Sequence, residues 1–330
     1  MTFIAAGLSM NVSARPYPKS DHFDGEKFHN PGVNDLKSFW EFLKWKFAFD
    51  AADWPSTVKN QNYPLRPLAA NEKASVTFIN HATFFVQVPG LNIMTDPVYS
   101  ERVSPVTFAG PKRVRRPGIA LGQLPPIDVV FISHNHYDHL DLPTLKEIDS
   151  RSHPLFIVPL GLEGFLKSEG LQNVKELDWW EELKVKDVNF IFTPAQHWSG
   201  RTPFDKNLSL WGSLLLDTGK TKIYFAGDTG YSDHFKQINN KLGAPDLALL
   251  PIGAYLPRWF MKTHHLNPEE AVKAHRDLSA VKSIAMHFGT FQLTDEGIND
   301  PVKDLELARK KEGIPEKNFM ILDQGQAMAY

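Results

Sequence analysis

Residues 133–141 read Ser133-His134-Asn135-His136-Tyr137-Asp138-His139-Leu140-Asp141, which packs four metal-binding side chains, His134, His136, Asp138 and His139, into six residues. The apolar run before it, Ile127-Asp128-Val129-Val130-Phe131-Ile132, reads as a buried strand. The cluster therefore begins at a strand's carboxyl end, where open α/β sheets hold ligands. Successive side chains of extended backbone point to opposite faces, so His134 and His136 leave on the same side and can share one metal. Asp138 and His139, after a turn, reach toward a second. The chain has no cysteine, so any metal site is built from His, Asp and Glu. Imidazole nitrogen with carboxylate oxygen suits zinc, and iron or manganese would also be accepted.

Three later segments repeat the placement. Strand-like residues 188–192 lead into Thr193-Pro194-Ala195-Gln196-His197, residues 222–226 into Gly227-Asp228, and residues 282–286 into His287. Together these residues complete two sites: His134, His136 and His197 around one metal, Asp138, His139 and His287 around the other, with Asp228 bridging. Asp96, at the end of the expected strand 91–95, reads either as a partner of a ligand histidine or as a turn aspartate before Pro97. His81 reads as a satisfied core histidine.

The 330 residues, 42% of them hydrophobic, suffice for a substantial core. A net charge of −2 gives no nucleic-acid footprint. No apolar run approaches the ~18 residues needed to span a bilayer, so the expected location is cytoplasmic or peripheral to a membrane. Residues 2–10 read as a flexible tail, because a secretion signal would need a basic start. Residues 15–35 look like an extended arm. A helix is expected from Asn34 to about Asp50, its aromatic faces packing across the domain or, in a sharper reading, facing a membrane or a second copy in a homodimer. Residues 1–70 are thus taken as an N-terminal arm and aromatic-rich helix, and residues 71–330 as the catalytic domain. Lys112, Arg113, Arg115 and Arg116 form a cationic run, by default a solvated loop and alternatively an anion-binding lip. Asn267-Pro268-Glu269-Glu270 marks a helix start, a candidate anion seat. A helix over residues 301–311 and a strand over 319–323 close the chain.

The ordered set His-x-His-x-Asp-His, then His, Asp and His resembles the metallo-β-lactamase superfamily. That resemblance implies a four-layered αββα sandwich of two similar halves with a dinuclear site at the edge between them. Further blocks, among them Gly110-Pro111-Lys112-Arg113, Glu176-Leu177-Asp178-Trp179-Trp180-Glu181, Phe225-Ala226-Gly227-Asp228-Thr229-Gly230-Tyr231 and Pro257-Arg258-Trp259-Phe260-Met261-Lys262, are similar to the family of N-acylphosphatidylethanolamine-hydrolysing phospholipases D. The similarity spans roughly residues 77–325. It implies two zinc ions on His134, His136, Asp138, His139, His197, Asp228 and His287, and substrate contacts from Tyr137 and His265. Two positions depart from the mammalian members: Thr107-Phe108 stands in place of a polar Gln-Tyr pair, and Gly200 in place of a lysine that contacts bile acids.

Two cations held ~3.5–4 Å apart lower the pKa of a water between them and clamp the attacking and leaving oxygens of an in-line displacement. The expectation is a phosphodiesterase of phospholipase D type. It would cleave an N-acylated or related glycerophospholipid to phosphatidate and an N-acylethanolamine-like alcohol by a metal-held hydroxide, with Asp138, Asp228 and His265 as the catalytic side chains. Two alternatives stay open: a lactone or carboxylic ester hydrolase with the same metals, since such a site constrains metals better than substrates, and a non-catalytic metal-binding scaffold.

Overall fold

The structure, a computed structural model, describes residues 17–33, 44 and 51–330. The expected tail and the expected helix of residues 34–50, Lys44 apart, lie outside the described residues.

Near-continuous apolar runs mark strands buried on both faces, and alternation of side chains explains why. In β1 (Ser75–Asn80) Phe78 enters one core and Ile79 another. In β2 (Thr83–Val88) and β3 (Leu91–Thr95), Phe84, Val86 and Ile93 join Phe78 while Phe85 and Met94 join Ile79. β4 (Val129–Phe131) divides Val129 and Phe131 from Val130, and β5 (Leu155–Pro159) divides Ile157 from Phe156 and Val158. β6 (Val174–Leu177) completes this set.

A second set follows: β7 (Glu182–Val185), β8 (Val188–Thr193), β9 (Ser213–Asp217), β10 (Lys222–Phe225), β11 (Leu247–Pro251), β12 (Lys282–Met286) and β13 (Phe319–Met320). The last strand, β14 (Ala327–Ala329), returns beside β1. The result is two seven-stranded sheets, ordered β14-β1-β2-β3-β4-β5-β6 and β13-β12-β11-β10-β9-β8-β7. Each runs antiparallel through its first four strands and parallel through its last three, counting from β14 and from β7.

Between the sheets Phe131 meets Phe192 and Phe225 at ring-centroid distances of 5.9 and 6.0 Å. Outside the first sheet, Leu145 and Ile148 of α1 (Leu142–Ser152) and Leu166 of α2 (Glu163–Ser168) close the second core. Outside the second sheet lie α3 (His234–Leu242), the short α4 (Arg258–Met261), α5 (Pro268–Asp277) and α6 (Asp300–Glu312), with Tyr224 turned outward against Phe235 of α3. This is a four-layered αββα sandwich.

Two strands are shorter than the sequence pattern suggests. In the run before the cluster, the strand is confined to Val129–Phe131, and at its entry the Asp128 carboxylate accepts the Asn92 amide at 2.8 Å. At the carboxyl end, the chain turns away after Met320 instead of continuing to Asp323.

Candidate metal centre

Strand ends of both sheets meet along one edge. The turn after β4 carries His134, His136, Asp138 and His139; His197 follows β8, Asp228 follows β10 and His287 follows β12. The turns approach closely because two glycines leave room. Gly227, at φ +58°, lies where an added Cβ would come within 2.7 Å of the Ser133 Cβ, and a Cβ on Gly253 would come within 2.1 Å of the His287 carbonyl oxygen.

His134 Nε2 lies 2.8 Å from His136 Nδ1, and His197 Nε2 lies 3.3 Å from that same atom, so three nitrogens converge. On the other side, Asp138 Oδ2 lies 3.5 Å from His139 Nε2 and 3.4 Å from His287 Nε2. Asp228 stands between the two groups. Its Oδ2 is 3.2 Å from His139 Nε2 and 3.9 Å from His197 Nε2, and its Oδ1 is 3.2 Å from His287 Nε2.

Partners outside the cluster set the tautomers. The Nδ1–H of His197 donates to the His264 carbonyl at 2.9 Å, and that of His139 donates to Asp96 at 2.6 Å, which turns each Nε2 inward. Asp96 also accepts the Ser133 amide at 2.7 Å and the Ser133 hydroxyl at 2.6 Å. Of its two readings, the structure takes the first: Asp96 orients a site histidine and the turn that carries it.

His81 is more than a core histidine. Its Nε2 sits 3.0 Å from Asp138 Oδ2, and burial holds the imidazole near a pKa of about 3, so a neutral ring donates to that carboxylate. Its carbonyl accepts the His287 amide at 2.8 Å and ties the end of β1 to the end of β12. The available signal was its place at a strand end, which His197, Asp228 and His287 share. His81, Asp96 and His287 all hold left-handed backbone, at φ +48°, +36° and +63°, a conformation that costs non-glycine residues about 1 kcal/mol or more and persists where neighbours impose it.

Burial pushes His134 and His197 well below the usual histidine range and His136 to about 4, so these rings keep lone pairs at neutral pH. Burial also opposes charge on His139 and His287, but the neighbouring carboxylates outweigh it, raising His139 well above its ordinary value and His287 to about 9. Burial would push Asp138 and Asp228 up; His139 chiefly, helped by His287, holds both well below the carboxylate range.

The donor set fits a cation. Among the described residues, His139 Nε2, His287 Nε2 and Asp228 Oδ1 are buried and have no hydrogen-bond partner, an arrangement that natural interiors avoid unless something else satisfies those atoms. A cation taken up there would displace the protons that the carboxylates otherwise hold on His139 and His287.

His265 joins from the turn before α5. Its Nδ1 is 3.8 Å from Asp228 Oδ2, and burial lowers the ring to about 3. The helix end beside it carries its own anion: Asn267 and Glu270 form a capping box, and Glu270 pairs with Arg258 at 2.7 Å. That start is therefore no open anion seat. Tyr137 donates to the Arg201 carbonyl at 3.3 Å and lies under the Arg201 guanidinium, 3.8 Å from the ring centroid. Both line a cavity of about 320 Å³ together with Val106 and Thr107. The cationic run is neither lip nor solvated loop at its centre, since buried Arg113 donates to the carbonyls of Ser100 and Val98 and packs on Phe291.

Residues 91–288 match the beta-lactamase superfamily domain. The Caenorhabditis elegans protein named N-acyl-phosphatidylethanolamine-hydrolyzing phospholipase D 1 is 34% identical over 349 aligned residues, covering 97% of this chain and 98% of that one. A mitochondrial Saccharomyces cerevisiae protein named for the same hydrolysis is 40% identical over 250 residues, 74% of this chain and 53% of its own length. Igni18, a metallo hydrolase of Ignicoccus hospitalis, shares the fold with a TM-score of 0.60 at 24% identity, covering 78% of this chain and 98% of its own. The chain therefore belongs to the beta-lactamase superfamily, beside the N-acyl-phosphatidylethanolamine-hydrolysing phospholipases D, and is a metal-dependent hydrolase.

Proposed function

We propose that the protein is a dinuclear zinc phosphodiesterase of phospholipase D type, acting on N-acylphosphatidylethanolamine or a related glycerophospholipid. The carrying observation is the convergence, from both sheets, of buried ring nitrogens and a carboxylate oxygen that have no hydrogen-bond partner among the described residues. His134, His136 and His197 would hold one cation and Asp138, His139 and His287 the other, with Asp228 shared. Such a pair supplies a nucleophile at neutral pH and Lewis-acid stabilisation of negative charge developing on phosphoryl oxygens.

The chain's own residues do the rest. Asp96 fixes His139, His81 fixes Asp138, and the His264 carbonyl fixes His197, so the ligand atoms are set before substrate arrives. His265, facing Asp228, is placed to hydrogen-bond a phosphoryl or leaving oxygen. Tyr137, set between His136 and Asp138 in the chain, lines the cavity that also holds Thr107, which supports that cavity as the seat of the head group or glycerol backbone. Phe108, 81% exposed, follows Thr107, and Phe204, 90% exposed, belongs to the segment carrying Arg201. Aromatic side chains so exposed beside a lipid pocket support contact with a bilayer surface. Among the described residues no helix is long and apolar enough to cross a membrane.

The test is hydrolysis by zinc-loaded protein of N-acylphosphatidylethanolamine, phosphatidylcholine, bis-p-nitrophenyl phosphate and a homoserine lactone, with Asp228→Asn alongside. Phospholipid cleavage that disappears in the variant is expected. Lactone turnover without phosphodiester cleavage would replace this reading with a lactonase, and silence on every substrate would leave the scaffold.

A further inference from the structure

His197 reaches the centre along an irregular path, four residues past the point where β8 ends at Thr193. What holds its backbone comes from far away in sequence. Asn30 donates its Nδ2–H to the His197 carbonyl at 2.8 Å, while its Oδ1 accepts the His197 amide at 3.2 Å and the Trp211 indole N–H at 3.2 Å. This orientation of the amide is the one the partners allow, because a carbonyl takes a donor and two N–H groups take an acceptor. Both main-chain polar groups of His197 thus end on a single buried side chain, and its ring Nδ1 ends on the His264 carbonyl.

Asn30 is itself anchored. The Phe28 amide donates to the Asn207 carbonyl at 2.9 Å, and the Phe23 and Phe28 rings are buried in the main core. His22 stacks on Trp179 at 4.3 Å and meets Asp178 at 2.8 Å, and Tyr17 donates to Glu176 at 2.8 Å. Residues 17–33 precede the matched superfamily region, which begins at residue 91.

We infer that Asn30 is a positioning residue for His197, so that the segment before the hydrolase domain is part of the metal centre's construction. The inference rests on the reading of His197 as a ligand. An aspartate in its place keeps the size but sets a carboxylate oxygen against the His197 carbonyl, and an alanine leaves both main-chain groups without that partner.

The test measures zinc affinity by chelator competition and the cobalt(II) d–d spectrum in Asn30→Asp, Asn30→Ala, His197→Ala and His22→Gln proteins, with melting of each metal-free protein. Asn30→Asp and Asn30→Ala are expected to lose about 10–100-fold in the affinity of one cation, the cost of removing a group that orients a ligand, with a changed cobalt spectrum. His22→Gln, which loosens the same arm elsewhere, is expected to lower melting alone. Wild-type affinity and spectrum in both Asn30 variants would overturn the inference, as would an equal loss in His22→Gln, which would make arm stability the cause. Unchanged affinity in His197→Ala would overturn the ligand reading itself, and this inference with it. If Asn30→Ala does not fold, the isosteric Asn30→Asp decides.

Discussion

The two sheets have the same layout, yet they furnish the centre differently. In the first, one turn after β4 carries His134, His136, Asp138 and His139, while the ends of β1 and β3 contribute His81 and Asp96, which orient the others. In the second, the corresponding ends of β8 and β10 lead to His197 and Asp228, and β12 leads to His287. Equivalent positions thus serve as orienting groups in one half and as ligand-type residues in the other. A cluster on one turn needs only short-range bracing from its own sheet. Residues on three separate strand ends need their spacing imposed by packing, close glycine contacts and Asn30.

The largest effect is expected at the residue both groups share. Asp228→Asn keeps size and removes the charge between the two groups, and kcat/KM on the proposed phospholipid substrate should fall about 10³-fold, the loss of several kcal/mol of transition-state stabilisation. A fall under tenfold would mean that the two groups act independently. Asp96→Asn attacks the bracing of the first half: it weakens the acceptor for His139 and the Ser133 turn, and metal affinity measured by chelator competition should fall about 10–100-fold. The half that carries four donor residues on one turn would then prove as dependent on orientation as the other.

Gly227→Ala forces a side chain into left-handed backbone and against Ser133, so the chain should lose about 1–3 kcal/mol of stability in denaturant unfolding. An unchanged midpoint would show that the two turns approach less tightly than their geometry states. The smallest effect concerns the arm that braces the second half. Burial works against charge on His22, but its hydrogen bonds to Asp178 and Asp21 outweigh it and raise its pKa. That stabilisation is fully present below the unfolded value of about 6.5 and is lost as pH rises through the higher folded value. Melting followed from pH 6 to pH 9 should drop ~1 °C more in the native protein than in His22→Gln; identical slopes would detach the arm from any pH response.

The difference between the halves also separates what the sequence shows from what it hides. Val129, Val130 and Phe131 announce a strand buried on both faces, and the spacing of His134, His136, Asp138 and His139 announces a metal turn, because both signals are local and periodic. His197, Asp228 and His287 were legible as residues at strand ends, but their pairing around shared atoms depends on sheet order. Arg113 reads as a surface charge and turns out buried, because carbonyls 13 and 15 residues away, of Ser100 and Val98, take its guanidinium.

By itself the sequence determined the donor types, the absence of thiolates, the strand ends that carry the donors and the superfamily to which the chain belongs. Tertiary structure alone decided that His81 and Asp96 orient Asp138 and His139, that Arg258 pairs with Glu270 at the start of α5, and that Asn30 grips a histidine 167 residues away. The physical reason is range: periodicity and turn chemistry act over a few residues, whereas a hydrogen bond that fixes a tautomer or a peptide group needs only closeness in space.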